Sequence, residues 1–135
     1  MKKEQVLADF LGVNVEDVCQ TGTDYFEAEG KEYYVLTDDE ANTYAEEYIR
    51  ESLWAFRAEF IAQYTKVTLS DRAIAAIKKM QETLCEDANE LIYALIEDFD
   101  AFVKDAIRAD GRGHFISQYD GEEYEQGDYY IYRVN

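Results

Sequence analysis

His114 is the chain's one histidine and lies in Asp110-Gly111-Arg112-Gly113-His114, where glycine amides and a guanidinium could gather an anion. An imidazole there could move a proton, but no second histidine and no cysteine at ligand spacing accompany it. It completes neither a standard metal set nor a catalytic constellation. A helix stop followed by entry into a hairpin accounts for the same glycines, with His114 bonded to a backbone carbonyl. Arg112 and His114 are therefore kept as an anion or small-ligand loop, behind the protein-binding readings developed below.

Carboxylates form the other chemical groupings: Asp38-Asp39-Glu40, then Glu97, Asp98 and Asp100, then Asp120, Glu122, Glu123 and Glu125. Paired acids can hydrolyse glycosides when a cleft holds two of them and burial raises one pKa. These fall in turns or on polar faces, and no stretch has the alternating ligands and central glycine of a calcium loop. They read as solvated faces. No catalytic residue, metal or cofactor is expected, and the chain reads as a binding protein and not an enzyme.

Thirty acidic residues against 13 basic ones give a formal charge of -17. That density repels nucleic acid and anionic membranes and speeds encounter with basic surfaces. A basic protein partner is expected, with no direct nucleic acid and no membrane. On the central helix the acids Asp39, Glu40, Glu46, Glu47, Glu51 and Glu59 fall mostly off the apolar face, with neighbours three or four apart separated by roughly 5 to 6 Å. Phosphates along a DNA strand repeat on a comparable scale. Such rows could imitate DNA in a basic groove, or could serve solubility alone.

The elements that position these groups follow from periodicity. A chain of 135 residues with 47% hydrophobic content can bury one core, so one domain is expected. Val6, Leu7, Phe10 and Leu11 predict a short helix stopped at Gly12. Tyr25-Phe26 and Tyr33 to Leu36 flank Glu29-Gly30 and predict a hairpin. Thr37 to Glu40 has the form of a capping box, opening a continuous helix whose buried face runs from Ala41 to Tyr64.

Ser70-Asp71 caps a third helix, burying Ile77 and Leu84. A fourth, 87 to 109, buries Leu91, Ile92, Leu95 and Ile96. With no proline in the chain, these helices should run unkinked. Phe115, Ile116 and Tyr119, a turn at Asp120-Gly121 and the run 129 to 134 predict a second hairpin. The fold class is α+β: an N-terminal helix and β-hairpin, a three-helix central region and a C-terminal β-hairpin.

Aromatic residues at helical spacing, Tyr44, Tyr48, Trp54 and Phe56, read as core packing in preference to a base-stacking platform, which the charge opposes. Five tail tyrosines, Tyr119, Tyr124, Tyr129, Tyr130 and Tyr132, exceed what a short hairpin can bury, and tyrosine beside carboxylates suits a protein interface. Cys19 and Cys85 lack CxxC spacing and read as buried or idle thiols. Met1-Lys2-Lys3-Glu4-Gln5 leads into an acidic amphipathic stretch and not a signal h-region, so a soluble protein of the host cytoplasm is expected.

Three stretches taken together resemble a group of small phage-encoded proteins. They are Leu36-Thr37-Asp38-Asp39-Glu40-Ala41, Ser52-Leu53-Trp54-Ala55-Phe56, and Gly111-Arg112-Gly113-His114-Phe115 with Tyr119-Asp120-Gly121-Glu122-Glu123; the likeness covers about residues 33 to 133. The group carries no activity to transfer. The resemblance implies a phage or prophage origin, where small acidic proteins are similar to inhibitors of host defence, such as anti-CRISPR or antirestriction DNA mimics; that step is analogy of charge.

The leading expectation is a phage accessory protein that blocks a basic, nucleic-acid-binding host protein such as a CRISPR effector or restriction enzyme. Its contacts would be Glu40, Glu47, Glu51, Asp120, Glu122 and Glu123, with Tyr124 and Tyr129 as anchors. A protein-interaction or self-association module, monomer or dimer, is the second reading.

Overall fold

The computed structural model describes residues 1–135. Helix α1 (Lys3–Leu11) leads through a 3-10 turn into strands β1 (Val18–Gln20), β2 (Tyr25–Ala28) and β3 (Lys31–Leu36). Helices α2 (Asp38–Glu51), α3 (Ala58–Ala62), α4 (Asp71–Leu84), α5 (Asn89–Leu95), α6 (Phe99–Asp110) and α7 (Arg112–Ile116) follow, before strands β4 (Tyr124–Gln126) and β5 (Tyr129–Arg133). The class is α+β. By backbone packing the chain forms two compact units, residues 1–45 with 110–135, and residues 46–109.

In the first unit all strand pairs are antiparallel and both hairpins join one five-stranded sheet, β1-β2-β3-β5-β4. Glu29 and Gly30 both have positive φ (55° and 76°), as a two-residue hairpin turn matching strand twist requires. Alternate residues face α1: Phe26, Tyr33, Val35 and Ile131 are buried against its Val6, Leu7 and Ala8. Burying a side chain the size of Leu7 contributes about 1.5–3 kcal/mol. Leu36 and Tyr132 point the other way and are equally buried, while Tyr34 packs on Tyr44 of α2 at 4.9 Å.

Local signals set several element ends. The Gly12 amide bonds back to the Ala8 carbonyl from a left-handed conformation. The capping box forms as its spacing predicts: Thr37 Oγ1 accepts from the Glu40 amide at 3.2 Å, and Glu40 Oε1 accepts from the Thr37 amide at 2.8 Å. Ser70 caps α4 by accepting from the Ala73 amide.

The second unit is built around Phe102, whose ring meets Phe56, Phe60 and Tyr64 edge-on or nearly so at 5.1–5.3 Å and stacks on Phe99 at 6.0 Å. Here the expectation of a continuous helix from 38 to 64 fails. Helix α2 ends at Glu51, a 3-10 turn covers Leu53–Ala55, and α3 starts afresh at Ala58. Side chains distant in sequence hold the break open. Asn89 accepts from the Trp54 amide at 2.8 Å and donates to the Glu51 carbonyl at 2.6 Å; Gln81 donates to the Leu53 and Phe56 carbonyls. These bonds satisfy the backbone groups that a helix end frees.

The helix expected over 87 to 109 also divides. Ile96 is extended and bridges Thr65, with the Glu97 amide donating to the Tyr64 carbonyl at 2.8 Å, and Asp98 then caps α6 through the Ala101 amide. Phe115 and Ile116, expected in a strand, are buried in α7 instead, and the hairpin turn lies at Gly127-Asp128, not Asp120-Gly121. Leu84, Leu91 and Leu95, expected in the core, are 40%, 51% and 37% exposed.

Candidate functional site

On α2, Glu47 and Glu51 are four apart and so share one face, about 6 Å apart along the axis at 1.5 Å per residue. Ala41, Ala45 and Ile49 are buried on the inward arc of the same helix, which leaves Glu47 and Glu51 in solvent. Glu40 differs. Its carboxylate also takes Lys3 Nζ at 2.8 Å, and Lys3 reaches Asp24 at 2.6 Å. Burial opposes both charges, yet these bonds outweigh it: Glu40 is held below the usual glutamate range and Lys3 above the usual lysine value.

The tail acids are bound up in a lock. Gly113 opens α7 so close to the following loop that a Cβ there would lie 2.6 Å from the Gly121 carbonyl oxygen and 2.7 Å from the Glu122 carbonyl carbon. Arg112 extends from the same turn. Its Nε meets Glu123 at 2.7 Å, its Nη1 meets Asp38 at 2.7 Å and Asn42 at 2.9 Å, and its guanidinium lies 4.6 Å over the Tyr130 ring. Burial opposes the charge, but the two carboxylates hold it firmly protonated.

Glu123 also accepts from the Tyr132 hydroxyl, whose proton is retained through burial and that bond. Asp120 takes the Glu122 amide at 3.0 Å and lies 2.9 Å from Ser117 Oγ, which shares its single proton with the Arg133 carbonyl at 2.5 Å. Burial works against ionisation of Asp120, and these bonds still keep its pKa below the ordinary aspartate value.

Of the eight residues named as partner contacts, Glu40, Asp120 and Glu123 are thus engaged inside the first unit. Glu122 projects into solvent there, Tyr124 is 39% exposed with its ring 5.3 Å from Phe10, and Tyr129 is partly buried with its hydroxyl on the Met1 carbonyl. Glu47 and Glu51 belong to the second unit. His114 is exposed on α7, its ring edge-on to Phe115 at 5.0 Å, while Arg112, its companion in the anion loop, is already saturated by carboxylates.

No family model, curated protein or solved structure matches the chain. Its chemistry is therefore read from its own residues.

Six of the 30 acidic residues take part in an ion pair: Asp24, Asp38, Glu40, Glu59, Asp105 and Glu123. The other 24 make no direct ion pair and acids outnumber bases by 17, so what the surface can do best is attract cations. Nowhere do three or more His, Cys, Asp or Glu side chains converge as metal ligands, and no helix is long and apolar enough to cross a membrane. Cys19 and Cys85 are free thiols and both are exposed, so of the two expected states, buried or idle, the buried one fails.

Reading by periodicity missed one surface. Leu91 and Leu95 look like core because they share a helical period with buried Ile92, but α5 is only seven residues long and buries Ile92 alone. A cap signal was present in the sequence, Asp98 followed by Phe99, which marks a new helix start and hence the short α5.

Proposed function

We propose that this chain is a phage accessory protein that occupies the basic, nucleic-acid-binding face of a host protein and keeps nucleic acid off it, in the manner of an anti-CRISPR or antirestriction inhibitor. The observation that carries the reading is the charge: -17 overall, with six of 30 acids neutralised by internal ion pairs. Glu47, Glu51 and Glu122 are the contacts best suited to a partner, because their side chains are in solvent. Glu40, Asp120 and Glu123 act mainly as scaffold that holds α2 and the tail in place.

Such a protein binds by replacing the phosphates its partner would otherwise hold, so duplex DNA and this chain must exclude one another. The test is competition. The tagged chain is incubated with host lysate at low salt, and the retained protein is challenged with duplex DNA. Release of a basic, nucleic-acid-binding protein by the DNA is the expected result; retention unaffected by excess DNA would sink the mimicry.

A further inference from the structure

Helix α5 buries Ile92 and turns the rest of its circumference outward, with Leu91 51% exposed. At 100° per residue Leu91 and Leu95 align, and Ala94 falls between that stripe and Tyr93. The Thr65–Ile96 bridge brings a third apolar side chain to the end of the helix: the Lys66 amide donates to the Leu95 carbonyl at 3.2 Å, and the next residue, Val67, is 67% exposed. Ala94 and Tyr93 form one wall of an adjoining open pocket of about 410 Å³, rimmed by Glu46, Glu97, Asp98 and Asp100 together with Lys66. All of this lies within the second unit.

Exposed apolar side chains that adjoin one another within a rim of polar residues mark an interaction site. The charge around these decides what they can bind. A second copy would bring its own -17 against the same carboxylates, and nucleic acid or an anionic membrane would be repelled. A cation is favoured by the acid rim, where four carboxylates outnumber Lys66, while the Tyr93 ring is already covered by this chain's own Arg50 guanidinium 4.1 Å from its centre.

We propose that this face docks a basic amphipathic helix of a partner protein. Its apolar stripe lies on Val67, Leu91 and Leu95, and one of its lysines or arginines enters the carboxylate-rimmed pocket. The proposal rests on the reading of a basic protein partner and adds the place where such a partner is gripped. Charge supplies attraction at a distance; the apolar stripe supplies orientation, because it rewards only a segment whose hydrophobic residues share one face.

Two fluorescein-labelled synthetic peptides test it against the full chain by anisotropy. One places leucine and lysine at helical spacing; the other has the same composition in scrambled order, with no apolar face. The patterned peptide is expected to bind at least about tenfold tighter. Leu91→Ser combined with Leu95→Ser should abolish that difference while leaving the circular dichroism of the folded chain in place and lowering the melting temperature only modestly, since Leu91 is 51% and Leu95 37% exposed.

Equal, salt-sensitive binding of both peptides overturns the docking face and leaves the basic-partner reading standing. A preference that survives the double substitution also overturns the docking face. Failure of both peptides to bind at low salt overturns the two together. A wild-type dimer by light scattering that the double variant dissolves assigns the face to self-association and overturns the proposal.

Discussion

Arg112 and Glu123 meet at 2.7 Å, and the same guanidinium holds Asp38 at 2.7 Å, so residues far apart in sequence close on one cation. The stretch around Gly111 to His114 that looks most like a ligand loop is instead the joint between the start of α2 and the tail. Arg112→Ala should therefore destabilise the fold by about 2–4 kcal/mol, because it leaves two carboxylates facing one another without their counterion. Lysine should rescue only in part, lacking the fork that reaches both acids. Urea denaturation measures this. A wild-type-like midpoint for the alanine variant would return the loop to the list of ligand sites.

Gly113 and Gly111 are two residues apart and should respond differently to alanine. At Gly113 the added methyl meets backbone at 2.6 Å, which should cost about 1–3 kcal/mol or more through overpacking. At Gly111 nothing lies within 4 Å, but φ 88° with ψ 145° is backbone that essentially only glycine adopts, a cost of about 1–3 kcal/mol. Both variants should melt below wild type, and faster amide exchange around Gly121 and Glu122 should mark Gly113→Ala alone. A Gly113→Ala variant that melts and exchanges like wild type would mean the tail does not close on α7.

Gln81 is buried at 8% exposure and feeds the carbonyls of Leu53 and Phe56. Gln81→Ala removes the side-chain donor from both, leaving Leu53 with the Phe56 amide alone, and should lower stability by about 1–3 kcal/mol. Amide exchange should rise first over Leu53–Ala55, where the backbone depends on that side chain. Uniform exchange along the chain, with no local rise, would contradict its role in holding the break.

Burial opposes both charges, but Glu40 is depressed by its bond to Lys3, and Lys3 is raised by its bonds to Asp24 and Glu40, which fixes the sign of the pH dependence. The stability Glu40 contributes is fully present above its ordinary value of 4.5 and is lost as pH falls through the lower folded value; that of Lys3 is fully present below 10.5 and is lost as pH rises past the raised value. Glu40→Gln can keep the capping box but loses the ion pair. The pair is partly solvated, so wild type should exceed the variant by no more than about 1 kcal/mol at neutral pH. The gap should narrow as pH falls below 4.5 and through the lower folded value, and melts that keep it undiminished in acid would contradict the assignment.

These tests also mark how far the sequence could be read. Signals carried by neighbours in the chain were legible: the capping box at Thr37 and Glu40, the stop at Gly12, the turn at Glu29-Gly30 and the cap at Ser70 all form as their residue types require. The break at Ser52 was not, because Asn89 and Gln81, which hold it, act across 25 or more residues, and the one at Ile96 was marked only by the cap residue Asp98, the Thr65 bridge that holds it lying far off in sequence. Periodicity runs through both breaks unaltered. Phe115 and Ile116 misled for a related reason: aromatic and branched residues fit a strand or a buried short helix equally well, and the close approach at Gly113 favours the helix.

The candidate site was legible as composition and less so as geometry. Charge and residue type pointed to acids and tyrosines together, yet spacing alone could not separate Glu47, Glu51 and Glu122, which face solvent, from Glu40, Asp120 and Glu123, which hold the fold. Leu91 and Leu95 were assigned to the core by the same periodicity that placed Ile92 there correctly.

The central claim is that uncompensated carboxylates hold a basic partner, and the affinity of wild type and of a Glu47→Lys, Glu51→Lys, Glu122→Lys variant across a salt series tests it most directly. These three side chains are in solvent, so the fold should persist. Affinity for the partner retained from host lysate should fall steeply with salt, vanish by about 0.5 M where screening confines charge to a few ångströms, and drop about a hundredfold or more in the variant. Binding that persists unchanged at that salt, or a triple variant that binds as tightly as wild type, contradicts it.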